Sequence, residues 1–442
     1  MTDAQPSEKE AARDPHSRIR RTPASPNESP EEAGKAISDD AVVLARLLWP
    51  EPVALTLSRG PADPAVRQLA EFLPLRLGER APILLPITPR AAAQAVRRRS
   101  QGLRARQRWT RWLLSIGLAT GLAQRVFRER LRVSIGPEAA NVPTFEKFLE
   151  ELFGQPVLIS ISLGPLRANR KPVVQVLTTR GSTLAFVKVG WNTLTRSLGR
   201  KEAETLRRLE RASVRTAVPP RLLYAGAWES LEVLAVSALR GRATVLRRSS
   251  SVPLVAMRDV SSVTPWVYGQ LETAPFWHRL AAFRSSVLGA QGQSFSRMLH
   301  TLTLCLSGKA LAFGSWHGDW TPWNMAWQRN GTVQLWDWER FETGVPVGFD
   351  ALHYSVEAHS RRGGSLRSGV AHTRRHLPEL LTAFDVAPDH DVLVLTLYLL
   401  ELFRRWYTDS HEELGGQLLA KTAILLEIID GLLPDVARVG TA

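Results

Sequence analysis

Trp316-His317-Gly318-Asp319-Trp320-Thr321-Pro322-Trp323-Asn324, followed after a short hairpin by Leu335-Trp336-Asp337-Trp338-Glu339, is the stretch on which the reading of this chain turns. The first run is a loop carrying an aspartate and, just after it, an asparagine. The second is an apolar strand that ends on another aspartate. Together they offer one proton acceptor, Asp319, and two oxygen ligands for a hard divalent cation, Asn324 and Asp337. Phosphoryl transfer needs such groups in that order, because the cation sits between the phosphates and the acidic side chains.

Working outward, Met325–Gln328 and Thr332–Trp336 form a predicted hairpin whose Asn330-Gly331 turn supplies the positive φ it needs. Upstream, Pro156–Leu163, Pro172–Thr178 and Thr183–Val189 have the alternation and β-branched content of an antiparallel meander. A helix is expected over Arg200–Ala212, then two more strands around 221–225 and 231–236, completing a five-stranded lobe. Pro143–Phe153 reads as a short amphipathic helix before it. From residue 241 onward helices are expected near 263–269, 276–288, 294–306, 392–407 and 417–433. The expected fold class is therefore α+β with two lobes, a small antiparallel sheet carrying one helix and a mainly helical lobe. The expected divisions are a disordered tail at 1–40, a basic extension at 41–142, a small lobe at 143–240 and a helical lobe at 241–442.

A strand lysine, Lys188, a helix glutamate, Glu202, the Asp319–Asn324 loop and Asp337 follow one another in the chain order of a two-lobed kinase. The pattern His317-Gly318-Asp319 through Pro322 to Asn324, with Asp337-Trp338-Glu339, resembles the aminoglycoside phosphotransferase and choline kinase group, small-molecule kinases of the protein-kinase-like fold. Gly348-Phe349-Asp350-Ala351-Leu352 is similar to that group's downstream aspartate segment. The resemblance covers roughly residue 157 to the C-terminus. It implies ATP and Mg²⁺ as nucleotide and metal. Lys188 would contact the nucleotide phosphates and Glu202 would hold it by an ion pair, with Glu204 the competing choice. Asp319 would act on the attacking hydroxyl, and Asn324 and Asp337 would ligate the metal. His317 is expected to anchor the loop and Asp350 to support it; read alone, Asp350 is a helix cap.

The turn after the first strand of the meander, residues 163–171, departs from that group. It has a single glycine, Gly164, and a proline where a glycine-rich phosphate loop is expected, so fewer backbone N–H groups approach a nucleotide. Gly164 with Arg167 is the expected contact, with Arg170 or Lys171 as added charge; solvated loop charges are the alternative. The acceptor is narrowed by what is missing. Gly318 stands where protein kinases carry an arginine, and no Ala-Pro-Glu segment follows Asp337. A small hydroxylated molecule, such as a sugar, amino sugar or amino alcohol, is the expected acceptor. The acidic residues of the last helices are interspersed with arginines, so an acidic cleft for a polycation is not evident.

The formal charge of +15 is unevenly placed: residues 41–150 hold 18 basic against 8 acidic side chains, about +10. Most of the excess lies between Arg97 and Arg132, where residues 89–132 read as helical, with Trp109, Trp112, Leu113, Ile116 and Leu118 as an apolar stripe. Such a stripe either docks on the protein itself or lies on an anionic membrane surface; nucleic acid is the less favoured partner. The single cysteine, Cys305, excludes an internal disulfide framework and a cysteine metal cage, and is expected to be buried on a helix. The N-terminal residues lack the pattern of a secretory signal, and the apolar run 112–123 is shorter than a membrane span. A cytoplasmic location, with peripheral membrane attachment as an option, is the expectation. The alternatives to an enzyme are an idle kinase-like module and a surface-binding protein acting through the basic extension.

Overall fold

The computed structural model describes residues 46–75, 83–98, 105–138, 142–163, 170–212, 214–239, 252–305, 308–410 and 417–440. The tail 1–40, the first residues of the extension, Arg99, Arg104, Gly164 and Arg167 lie outside the described residues.

The N-terminal half contains β1 (Ala54–Ser58), β2 (Arg67–Leu75), β3 (Ile83–Pro86), α1 (Pro89–Arg98), α2 (Ala105–Ala119), α3 (Leu122–Val126), β4 (Arg130–Ile135) and α4 (Phe145–Phe153). It continues with β5 (Val157–Leu163), β6 (Pro172–Thr178), β7 (Thr183–Gly190), α5 (Thr193–Arg211), β8 (Ala217–Val218), β9 (Leu222–Trp228) and β10 (Leu231–Ser237). All of these strands except β8 join in one antiparallel sheet ordered β1-β4-β2-β3-β5-β6-β7-β10-β9. The meander expected from sequence is its second half. The extension is its first half, joined where Ile83 pairs with Ser162 and Leu84 with Ile161. The expected division at residue 142 therefore falls inside a continuous sheet.

Two local expectations need correction, and one strand is new. Residues 130–135 are a strand, not the end of a helix: Arg130, Leu131, Arg132 and Val133 alternate with period two, the arginines half-buried and the apolar pair buried. β2 is an addition to the strands expected from sequence; its Pro74 sits opposite Leu84 in register, although proline disfavours interior strand positions. The helix expected near 263–269 is instead a short edge strand at 267–270 with Val267 and Tyr268 exposed.

Pleating sends alternate side chains to two cores. Phe72, Leu84, Leu131 and Val133 pack with Phe145 and Leu149 of α4 and with the inner faces of β5–β7. Leu73, Leu75, Ile83 and Leu85 pack against Ala92, Val96, Leu118 and Ala123 of α1–α3. α5 begins with a capping box in which Asn192 and Thr195 satisfy each other's backbone N–H groups. Its Ala203, Leu206 and Leu209 face the large core of the second lobe, so the helix joins both halves.

The second half contains α6 (Leu254–Ser261), β11 (Val267–Gln270), α7 (Pro275–Phe283), α8 (Gly289–Cys305), β12 (Ala310–Trp316), β13 (Met325–Trp327), β14 (Val333–Leu335) and β15 (Glu342–Pro346). The helices α9 (Phe349–Arg361), α10 (Leu366–Arg375), α11 (Leu377–Leu381), α12 (Asp391–Ser410), α13 (Gln417–Asp430) and α14 (Leu433–Gly440) complete it. The chain thus has the two-lobed α+β arrangement, with strands concentrated in one lobe and helices in the other. β13 and β14 form the expected hairpin, and β14 also pairs with β8. Cys305 is half-buried at the end of α8, not fully enclosed.

Candidate active site

β12 delivers the chain to the loop 317–324, and β14 delivers it to Asp337. Lys188 lies on the third strand of the meander, and its Nζ donates to both carboxylate oxygens of Glu202, at 2.7 and 2.6 Å, and to Asp337 Oδ1 at 2.5 Å. Residues from β7, α5 and the end of the hairpin therefore meet in one charge cluster. Glu204, the competing glutamate, is exposed. Burial alone would lower the Lys188 ammonium, but the charges of Asp337 and Glu202 and their hydrogen bonds carry it above its ordinary value. Burial works to raise the Asp337 carboxyl, and Lys188 and Lys171 hold it well below the usual range. Asp337 also sits at φ 75°, in the left-handed region, which costs a non-glycine residue local strain and is common at sites where a side chain must be aimed.

The loop itself is held from below. Asp350, at the start of α9, accepts the backbone N–H of His317 at 2.7 Å and of Gly318 at 3.1 Å. His317 is fully buried; its Nδ1 accepts the Asp319 N–H at 3.2 Å, so Nε2 carries the proton and donates to the Trp336 carbonyl, also at 3.2 Å. One imidazole thus ties the loop to the strand that carries Asp337. Burial lowers its pKa to about 4, keeping it neutral. Burial also pushes the Asp350 carboxyl up to about 6, against the pull of its two N–H donors.

These two shifts have opposite consequences for stability. For His317 the unfolded chain binds more protons than the folded one between pH 4 and 6.5, so stability is fully present above 6.5 and is lost as pH falls through that window. For Asp350 the folded chain binds more protons between pH 3.8 and 6, so its contribution is lost as pH rises there. Each amounts to about 3 kcal/mol, and in the native protein they largely offset. Relative to the native protein, His317→Gln is expected to make stability fall as pH rises from 4 to 6. Asp350→Asn is expected to make it rise. Denaturant unfolding of the three proteins across that range checks both signs.

Asp319 is the most open of the group, its side chain 38% exposed. Its Oδ2 accepts from Asn324 Nδ2 at 2.8 Å, and its Oδ1 lies 3.4 Å from His353 Nε2. His353 is buried and is held through Nδ1 by the Tyr398 hydroxyl at 3.0 Å. The Asn324 amide nitrogen also donates to the Asp319 carbonyl, which leaves its Oδ1 as the atom suited to a cation.

Four residues of this site were not singled out from sequence for the roles they occupy. Lys171, weighed only as a loop charge, is buried and ion-paired with Glu339. Glu202, Asp337 and Glu339 place carboxylate oxygens within 4.8 Å of one another, so two lysines and three carboxylates share the cluster. His353 follows Asp350 by three residues, a spacing that puts both on one helix face; that was the available signal. Arg405, from α12, gave no signal. Its guanidinium is buried, donates to the Gly318 carbonyl at 2.6 Å and the Arg340 carbonyl at 2.9 Å, pairs with Glu401 at 3.1 Å and stacks 4.1 Å from the Trp316 ring. Gly318 is at φ 85°, and a Cβ there would lie 2.2 Å from the Arg340 carbonyl oxygen, so only glycine fits.

No protein-family model and no curated protein matches the sequence. Among solved structures, the aminoglycoside phosphotransferase APH(4)-Ia is similar at 15% identity and a TM-score of 0.45, over 66% of this chain and 97% of its own. The choline kinase LicA from Streptococcus pneumoniae is similar at 14% identity and a TM-score of 0.43, over 65% and 99%. A putative fructosamine-3-kinase from Haemophilus somnus is similar at 14% identity and a TM-score of 0.40, over 65% and 96%. These three solved structures are of small-molecule kinases, two of them members of the group that this two-lobed chain's loop and strand motifs resemble.

Proposed function

We propose that this protein transfers the γ-phosphoryl group of ATP to a hydroxyl of a small molecule. The observation that carries this reading is the meeting of Lys188, Glu202 and Asp337 in one hydrogen-bonded cluster, with His317 tying the strand end that carries Asp337 to the Asp319–Asn324 loop. Lys188, pre-aimed by Glu202, binds the nucleotide phosphates. Asp319 orients the acceptor hydroxyl and takes its proton; its exposed carboxylate is steadied on one oxygen by Asn324 and faces His353 on the other. His353 acts through Asp319 as a positioning residue.

The donor set fits a hard divalent cation. Asn324 Oδ1 and the Asp337 carboxylate are oxygen ligands, and the Asp337 side chain is 30% exposed, against 1% for Glu202 and 4% for Glu339. Bound Mg²⁺ would neutralise charge on the phosphates. Glu202 and Glu339, buried and paired with lysines, serve to position Lys188 and Lys171.

The acceptor is a sugar, amino sugar or amino alcohol in preference to a polycation. Glu401 is buried between Arg404 and Arg405, and Asp409 is paired with Arg340 at 2.5 Å, so neither is free to receive ammonium groups. Glu412 and Glu413 lie outside the described residues. Purified protein incubated with labelled ATP, Mg²⁺ and a panel of such acceptors is expected to transfer label to at least one of them. Nucleotide binding without transfer or hydrolysis would replace the enzyme with an idle kinase-like module.

A further inference from the structure

The extension carries an apolar face that no described residue covers. On α2, Trp109, Trp112, Leu113 and Ile116 follow the i, i+3, i+4, i+7 spacing that forms one stripe. They are 65%, 46%, 60% and 43% exposed. The opposite side of the helix makes the attachment: Arg111, Ser115 and Leu118 are buried, and Leu118 packs with Ala92 and Val96 of α1. The expected stripe is thus split, with Leu118 inside and the other four outside. After the turn at Gly121, Leu122, Val126 and Phe127 continue the exposed apolar surface. Removing these side chains from water would stabilise any complex that covered them, and the described residues leave them open.

Beside this face lies an open hollow of about 540 Å³ lined by Arg59, Arg125, Arg128, Arg130 and Arg132, with Glu71 the one acidic side chain among its lining residues. Glu71 is taken up by Arg132 at 2.9 Å. Arg59, Arg125 and Arg128 have no acidic partner among the described residues. α3 and the residues after it serve both features, with Leu122, Val126 and Phe127 on the apolar side and Arg125 and Arg128 in the hollow.

We propose that this surface docks the protein on an anionic phospholipid bilayer. The tryptophans and aliphatic side chains enter the boundary between headgroups and acyl chains, where indole rings are favoured, and the arginines take lipid phosphates. Two alternatives fit less well. A symmetric contact with a second copy would bring two arginine clusters together. A nucleic acid would use the arginines and the indoles but would leave Leu113, Ile116, Leu122 and Val126 with nothing to stack on. No helix among the described residues is long and apolar enough to cross a membrane, so attachment is at the surface. The proposal does not depend on the phosphotransferase reading.

Full-length protein is pelleted with phosphatidylcholine vesicles that contain phosphatidylglycerol, and with phosphatidylcholine vesicles alone. Binding to the anionic vesicles is expected, weakening as salt rises, with tryptophan emission quenched by lipids brominated in the acyl chains. Trp109→Ser with Trp112→Ser is expected to reduce binding at least about tenfold. Arg125→Gln with Arg128→Gln is expected to reduce it about tenfold or more on anionic vesicles only. All four side chains are exposed, so unchanged melting curves show that the fold is intact, and either pair decides if the other fails to fold. The proposal is overturned if the native protein stays in the supernatant, or if binding survives in both variants. It is also overturned if the apolar face proves to hold a dimer, or the arginines an RNA, with no lipid binding.

Discussion

Asp319→Asn is expected to lower the rate of phosphoryl transfer about a hundred- to ten-thousand-fold, the range lost when a positioned general base is removed, while nucleotide affinity stays close to native. The substitution keeps size and shape. Oδ2 of Asp319 accepts from Asn324 at 2.8 Å, and an amide oxygen can still do so. What it loses is the basic oxygen facing His353 and the open side of the loop. Lys188, Glu202 and Asp337 are untouched, so the groups proposed to bind the phosphates remain. Single-turnover transfer of labelled phosphate, set beside nucleotide binding measured by calorimetry, separates the two effects. A variant that transfers at the native rate would remove Asp319 from the chemistry.

Arg405→Ala is expected to cost about 3–5 kcal/mol of stability, the range for breaking a buried ion pair from one side. Glu401, whose side chain is 1% exposed, would keep Arg404 as its partner and lose the other. The carbonyls of Gly318 and Arg340 would lose their donor, and Trp316 the cation over its ring. Because Gly318 precedes Asp319, activity is expected to fall together with stability. Arg405→Lys should recover only part of either, since an ammonium cannot reach three acceptors in the plane of a guanidinium. Chemical denaturation of the two variants against the native protein measures the difference. Loss of activity with native stability would limit Arg405 to setting the loop's geometry.

The two substitutions also mark where local reading of the chain stops. Asp319, Asn324 and Asp337 stood out as candidates because a phosphoryl-transfer site would hold such atoms within a short span, on a loop and the next strand. Lys188 and Glu202 were visible because a strand lysine and a helix glutamate preceded that span in order. The antiparallel meander was legible from β-branched alternation and turn residues, and the 325–335 hairpin from Asn330-Gly331.

Read alone, then, the chain singled out candidate site residues that lie near one another in sequence, and the order of lobes, because hydrophobic period and turn chemistry are local properties. Tertiary structure decided the rest. It joined the extension to the sheet through Ile83–Ser162, a pairing between residues far apart in the chain. It drew Lys171 out of its loop to Glu339 and filled the space behind Gly318 with Arg405 from α12. It turned Trp109 and Trp112 outward while Leu118 of the same helix faced inward. Each of these depends on which surfaces pack together, and a side chain's burial or ion pairing is settled by neighbours that the local pattern does not name.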